Sequence, residues 1–167
     1  RTSALAPVFL PIAMLLILAG LAFKIAVVPF HFYAPDVYQG TTNTNAGLLA
    51  VIPKIAGFVA LVRIAAAVIP LAADYSWQVL LVLAVFSMTL GNVVALWQKN
   101  VRRLMAYSSI AHAGYMFIGL AVWIVARTGG GSSELSQSGL IATLLYLTVY
   151  VAATVGTFAA LVYLGRE

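Results

Sequence analysis

Two lysines, two histidines and two prolines stand where an apolar chain has least use for them. Lys24 lies inside the run GLAFKIAVVPFHFYAPDVYQG, Gly20 to Gly40, with Pro29 and His31 close behind it. Lys54 follows Pro53 directly in a second apolar run, and His112 lies in a fourth. A charge in hydrocarbon is costly, and a proline inside a helix removes an N–H and presses its ring against the carbonyl four residues back. Residue types with these costs suit one chemistry, the movement of protons. An amine in a low-dielectric site can switch between neutral and charged near neutral pH. A free imidazole titrates in the same range. Lys24, Lys54, His112 and His31 are therefore the candidate proton-carrying groups, and Pro29 and Pro53 the candidate helix breaks.

Each residue also has a plainer role to beat. Lys24 could snorkel from a helix end, but apolar residues continue on both sides of it. Pro29 frees the carbonyl of Ile25, and Pro53 that of Leu49, and a free carbonyl can hold a water or a proton donor. Two lysines at similar depth on adjacent helices repel when both are charged, so a proton arriving on one favours its loss from the other. His112 could be a hydrogen-bonded core histidine. Ser108, His112 and Tyr115 share one helical face at i, i+4, i+7, however, and could hold water. His31 belongs either to the break or to the surface. Arg63 reads as a snorkelling charge, and Lys99, Arg102 and Arg103 as topology determinants.

The elements that must position these groups are membrane helices. The 167 residues are 63% hydrophobic and 8% charged, with mean hydropathy +1.05. Soluble domains carry about 25% charged residues, so this composition describes an integral membrane protein. Length allows about five spans of 20–25 residues in one bundle. The net charge is +5, but nine Lys and Arg do not cluster into a phosphate-binding face, which argues against nucleic acid. The chain has no cysteine, hence no disulfide, thiolate metal site or cysteine-held iron–sulfur cluster. Neither a metal-ligand spacing, a nucleotide-binding glycine motif nor a nucleophile constellation is present. The chain starts at Arg1 rather than Met and stops as an apolar run ends, so it reads as an internal piece of a longer membrane protein.

Hydropathy and punctuation place helices at about 8–38 (broken at Pro29), 46–70, 77–97, 101–126 and 139–165. Beyond the break the first helix resumes near Phe30 and runs to Tyr38, with Pro35 as a further irregularity. A broken helix at membrane depth is tolerated where it faces protein or a wet cavity. Lys54 lies about 12 Å into the second span and His112 about 18 Å from Asn100, by helical rise. The stretch QGTTNTN, Gln39 to Asn45, reads as a polar turn, Ala72 to Ser76 as a short turn, and Arg127 to Gly139 as a flexible loop. Thr143, Tyr146, Tyr150, Thr154 and Thr157 form a polar stripe on the fifth helix, either interhelical glue or a water path. Lys99, Arg102 and Arg103 place the QKNVRR turn on the cytoplasmic side.

Three long segments carry a resemblance. FKIAVVPFHFYAPDVYQG, PKIAGFVALVRI and GNVVALWQKNVRRLMAYSSIAHAGYM, within residues 10 to 120, resemble the antiporter-like membrane subunits of respiratory complex I, and among them the N-type family. The fifth helix fits by position and hydropathy only. The resemblance implies an all-α fragment containing most of the second of two inverted five-helix repeats. It implies that Lys24 matches the lysine at the break of the family's seventh helix, Lys54 the central lysine of the eighth, and His112 a polar group of the tenth. It implies proton translocation coupled to remote redox chemistry. NAD, FMN, iron–sulfur centres and quinone would be bound elsewhere in the complex, and none by this chain. K- and M-type membrane subunits would be neighbours in a bacterial inner membrane. The family also uses a glutamate on its fifth helix as partner of the Lys24 position and a lysine on its twelfth, and neither is present here. The rival expectations are a subunit of a multi-subunit cation/proton antiporter, which shares these modules, and a structural membrane scaffold.

Overall fold

The computed structural model describes residues 6–68, 73–128 and 132–165. All regular structure among them is helical: α1 (Ala6–Ile25), α2 (Ala34–Gly40), α3 (Asn43–Val68), α4 (Ala73–Ala95), α5 (Val101–Thr128) and α6 (Ser133–Leu164). Among the described residues α3, α4, α5 and α6 are long and apolar enough to cross a membrane. The shorter α1 and α2 form a fifth, broken segment. This is the all-α bundle with a broken first helix that the hydropathy predicts.

α5 is the axis of the bundle. Its spanning window is 67% buried, against 33% for α3 and 22% for α4 and α6. It touches α2, α3, α4 and α6, and the α4–α5 pair is the most extensive. In lipid, apolar burial does not drive helices together, because the tails are as apolar as the side chains; close backbone approach and interhelical polar contacts do. The sequence of α5 supplies small residues for that approach: Ala106, Ala111, Ala113 and Gly114 are all buried. A Cβ on Gly114 would sit 2.8 Å from the Ala84 carbonyl oxygen of α4, so only glycine fits there. Phe117, Met116, Leu120 and Ile124 continue the core, and Phe58 of α3 meets Phe117 edge-on at 5.6 Å.

Several boundaries differ from the sequence expectation. α3 begins at Asn43 rather than residue 46, since Thr42 serves as its cap: its carbonyl takes the Ala46 N–H and its hydroxyl the Asn45 N–H. Gln39 and Gly40 belong to α2, so the polar turn shrinks to Thr41 and Thr42. α6 begins at Ser133 rather than 139, because the Ser132 hydroxyl accepts the Leu135 N–H and Glu134 sits favourably at the positive end of the helix dipole. Helix therefore takes up both ends of the expected loop, with Arg127 and Thr128 closing α5; the triple glycine 129–131 lies outside the described residues. α4 begins at Ala73, inside the expected turn, whose start at residue 72 is outside the described residues.

Two prolines behave differently from expectation. α3 runs through Pro53 without interruption, so Pro53 is not a helix break. One bond is lost at the Leu49 carbonyl, while Ala46 and Ala50 stay packed and the helix continues against its neighbours. Pro35 is a start signal rather than an irregularity: it stands in the first turn of α2, where a missing N–H costs nothing. The second half-helix therefore begins at Ala34, not Phe30.

Candidate functional site

The break is built like a helix C-terminus placed at membrane depth. Ala26 adopts a left-handed backbone with φ 63°. The Ala26 N–H then reaches the Phe23 carbonyl at 3.0 Å and the Val27 N–H the Ala22 carbonyl at 2.9 Å. This is the paired bonding of a Schellman cap, which glycine normally serves. The next donor, the Val28 N–H, is captured by Ser87 Oγ of α4 at 3.1 Å, and Ser87 in turn donates to Leu83 O at 2.6 Å. Ser87 is fully buried and reads in sequence as one more residue of an apolar run. Pro29 contributes the missing N–H that keeps α1 from continuing through Ile25.

The carbonyl so released meets Lys54. Lys54 Nζ lies 2.9 Å from Ile25 O and 2.8 Å from Ser109 O of α5. The side chain is 2% exposed, with Nζ 5.8 Å from the centroid of the Tyr150 ring. An ammonium has three donors. Two are taken by carbonyls, and the third lies beside an aromatic face that favours a cation. α1 approaches α3 this closely because residue 57 is glycine: a Cβ there would stand 2.5 Å from Ile25 Cγ1.

On the α5–α6 side of Lys54 the polar residues converge. The Tyr150 hydroxyl lies 3.2 Å from Ala50 O, to which it donates, and 3.1 Å from Ser109 Oγ. His112 Nδ1 is 2.8 Å from the Tyr146 hydroxyl, the donor being set by the histidine tautomer. The His112 ring stands 5.4 Å from that of Tyr150 and 6.0 Å from that of Tyr115, whose hydroxyl accepts from Asn92 Nδ2 at 3.0 Å. A cavity of about 340 Å³ separates the two helices here. Ser108, Ser109 and His112 line one wall, and Tyr146, Tyr150 and Thr154 the other. Its lining is partly polar and it has room for several waters. Most of the predicted stripe on α6 therefore faces α5, with Thr157 at the rim and Thr143 bonded back to Gly139 O.

Lys24 and His31 stand apart from this cluster. Lys24 is exposed on α1 and has no hydrogen bond or ion pair among the described residues. His31 is half-buried in the break, with its Nδ1 enclosed and unbonded. The basic turn does more than mark topology. Arg103 pairs with Asp36 of α2 at 2.6 Å and reaches Gln39 at 2.8 Å, while Arg102 donates to Thr41 O. The half-helix beyond the break is thus tied to the start of α5.

A family model described as NADH:quinone oxidoreductase/Mrp antiporter, transmembrane, matches residues 5–166. The chain belongs to that family. Curated relatives named NADH-quinone oxidoreductase subunit N include one from Chlorobium chlorochromatii, 44% identical over 93% of this chain and 29% of its own length. A subunit N 2 from Chloroherpeton thalassium is 43% identical over 95% of this chain and 30% of its own. A Desulfovibrio desulfuricans subunit N is 42% identical over 93% and 28%. The chain thus spans under a third of the length of these relatives. The family match extends the resemblance through α6, where hydropathy and position alone had placed it.

Proposed function

We propose that this chain is the proton-translocating core of an N-type subunit of NADH-quinone oxidoreductase, carrying protons between Lys54 and His112. The observation that carries the reading is Lys54. It is buried in the bundle without a carboxylate among the described residues, held by a carbonyl that the helix break exposes, and next to a cavity whose lining is partly polar. Filling the volume does not require a lysine there, since methionine would do it; the amine adds a donor for Ile25 O and a group that can carry a proton. Lys24, one residue before Ile25 and exposed on α1, is the next site, with its carboxylate partner supplied from outside this chain. His31 serves as a further group within the break. The redox centres and cofactors reside in other subunits, K- and M-type subunits lie alongside, and the assembly sits in a bacterial inner membrane with the basic turn cytoplasmic. The subunit N relatives and the family match support this assignment.

The test uses the whole complex. Lys24→Ala and Lys54→Ala are each expected to abolish most proton pumping, read against quinone reduction; full pumping in both would overturn the proposal. The family description also names the Mrp antiporter, and the alternative is a subunit of a multi-subunit cation/proton antiporter. A sodium requirement for transport would move the assignment there. A purely structural scaffold predicts that methionine at both positions leaves activity intact.

A further inference from the structure

The cavity between α5 and α6 reaches Ser109 and Tyr150, yet Lys54 is not among the residues that line it. What stands between them is Tyr150, itself 5% exposed, with its ring beside Nζ. The hydroxyl of Tyr150 is fixed to two other helices, to Ala50 O of α3 one turn before Lys54 and to Ser109 Oγ of α5. Ser109 is the joint: its carbonyl holds Lys54 and its hydroxyl holds Tyr150. A ring pinned at its far end and placed between a cavity with room for water and a buried amine is a closed door with a latch. A buried tyrosine used only for packing would need one hydrogen-bond partner rather than two on separate helices.

We propose that Tyr150 gates Lys54: its latched ring shuts the α5–α6 cavity off from the amine, and release of the hydroxyl lets cavity water reach it. This deepens the proposed function by making Tyr150 a positioning residue rather than a proton carrier. When the ring swings away, a water takes its place beside Nζ. A proton then leaves the amine for that water and passes on towards His112 and Ser108. While the latch is closed, Lys54 exchanges no proton with the cavity. Tyr146, hydrogen-bonded to His112 in the same cavity, does not cover Lys54 and has no such role.

These 167 residues contain no cysteine, so a thiol placed at residue 54 is identified by the peptide that carries it. In the whole complex carrying Lys54→Cys, the rate at which a small water-soluble methanethiosulfonate modifies the peptide containing residue 54 is followed by mass spectrometry. Tyr150→Ala in that background removes ring and latch together and is expected to raise the rate by more than tenfold, beyond the roughly 2- to 10-fold that loss of one hydrogen bond's net free energy allows. Tyr150→Phe keeps the ring and loses the latch, and should raise it by an intermediate factor. Tyr146→Phe should leave it unchanged. Equal rates with and without the Tyr150 substitutions overturn the gate, as does equal acceleration by Tyr146→Phe. Should Tyr150→Ala prevent assembly, Tyr150→Phe decides alone, since it removes only an oxygen. Normal pumping by Lys54→Ala would overturn the proton-transfer role without touching this accessibility result, so the two claims fail separately.

Discussion

Lys54 and Lys24 belong to one helix break, and their surroundings differ: one amine is buried and the other exposed. Lys54 turns into the bundle, where Ile25 O, Ser109 O and the face of Tyr150 surround its amine. Lys24 is the residue before Ile25 and is exposed on α1, with no partner among the described residues. The same helix break thus has a partnered lysine on one side and, among the described residues, an unpartnered one on the other. The partnered side is the one packed on α5, the most buried helix. The unpartnered side is the outer face of α1, where Ile12, Leu15, Leu16 and Phe23 are also exposed. The break belongs to both sites: it directs a carbonyl at one lysine and ends the helix at the other.

The sharpest way to break this comparison is to remove both amines in turn. Lys54→Met leaves the buried Ile25 carbonyl with no donor and should destabilise the full-length subunit by roughly 2–3 kcal/mol, measured by chemical denaturation in detergent micelles. Lys24→Met removes no hydrogen bond among the described residues, so any cost it carries reports the carboxylate partner proposed outside this chain. No cost for Lys24→Met would mean that the outward lysine has no such partner, and no cost for Lys54→Met that the buried amine is not what holds the Ile25 carbonyl.

The next largest effect is expected at the hinge between the two sites. Ser87→Ala removes the acceptor of the Val28 N–H, a backbone donor with no helix to return to. A cost of about 1–2 kcal/mol is expected, together with faster amide exchange over residues 26 to 30. Unchanged exchange there would mean that the break is held by its cap alone. Ser87 also shows what sequence could not supply. Hydropathy places α3, α5 and α6, the lysine in the middle of α3 and the tyrosine stripe of α6, because period and spacing carry those features. The proline after Lys24 announces the break. Neither signal says which serine of an apolar helix will meet a freed N–H, that Ile25 O will be taken by a lysine from the next helix, or which side Lys24 will face. Those depend on how α1, α3 and α4 pack. Pro53 misleads for the same reason: locally it is a breaker, yet neighbouring helices carry α3 across the missing bond.

A smaller effect of opposite sign is expected one residue beyond Ile25. Ala26 sits in the left-handed region at φ 63°, which costs a Cβ-bearing residue about 1 kcal/mol. Ala26→Gly removes that cost and regains part of it as unfolded-chain entropy, so the subunit should gain about 0.5 kcal/mol. Pumping should hold, because the cap bonds and the direction of Ile25 O are unchanged. A loss of pumping without loss of stability would mean that the stiffness of the break, not only its shape, serves the Lys54 site.

The smallest effect is predicted at the far end of the broken segment. Arg103 and Asp36 tie α2 to the start of α5, but the Asp36 side chain is 73% exposed and the Arg103 side chain 30%. A pair this open to solvent contributes about 0.2–1 kcal/mol and is screened by salt. Arg103→Ala also frees Gln39, so the α2 end should loosen before the break does. The expected result is a stability loss below 1 kcal/mol that shrinks further between 0.05 and about 0.5 M salt, with amide exchange raised in α2 and unchanged at residues 26 to 28. Exchange rising equally at both places would mean that the clamp at Arg103 holds the break itself. The two lysine positions would then share a mechanical support as well as a helix break.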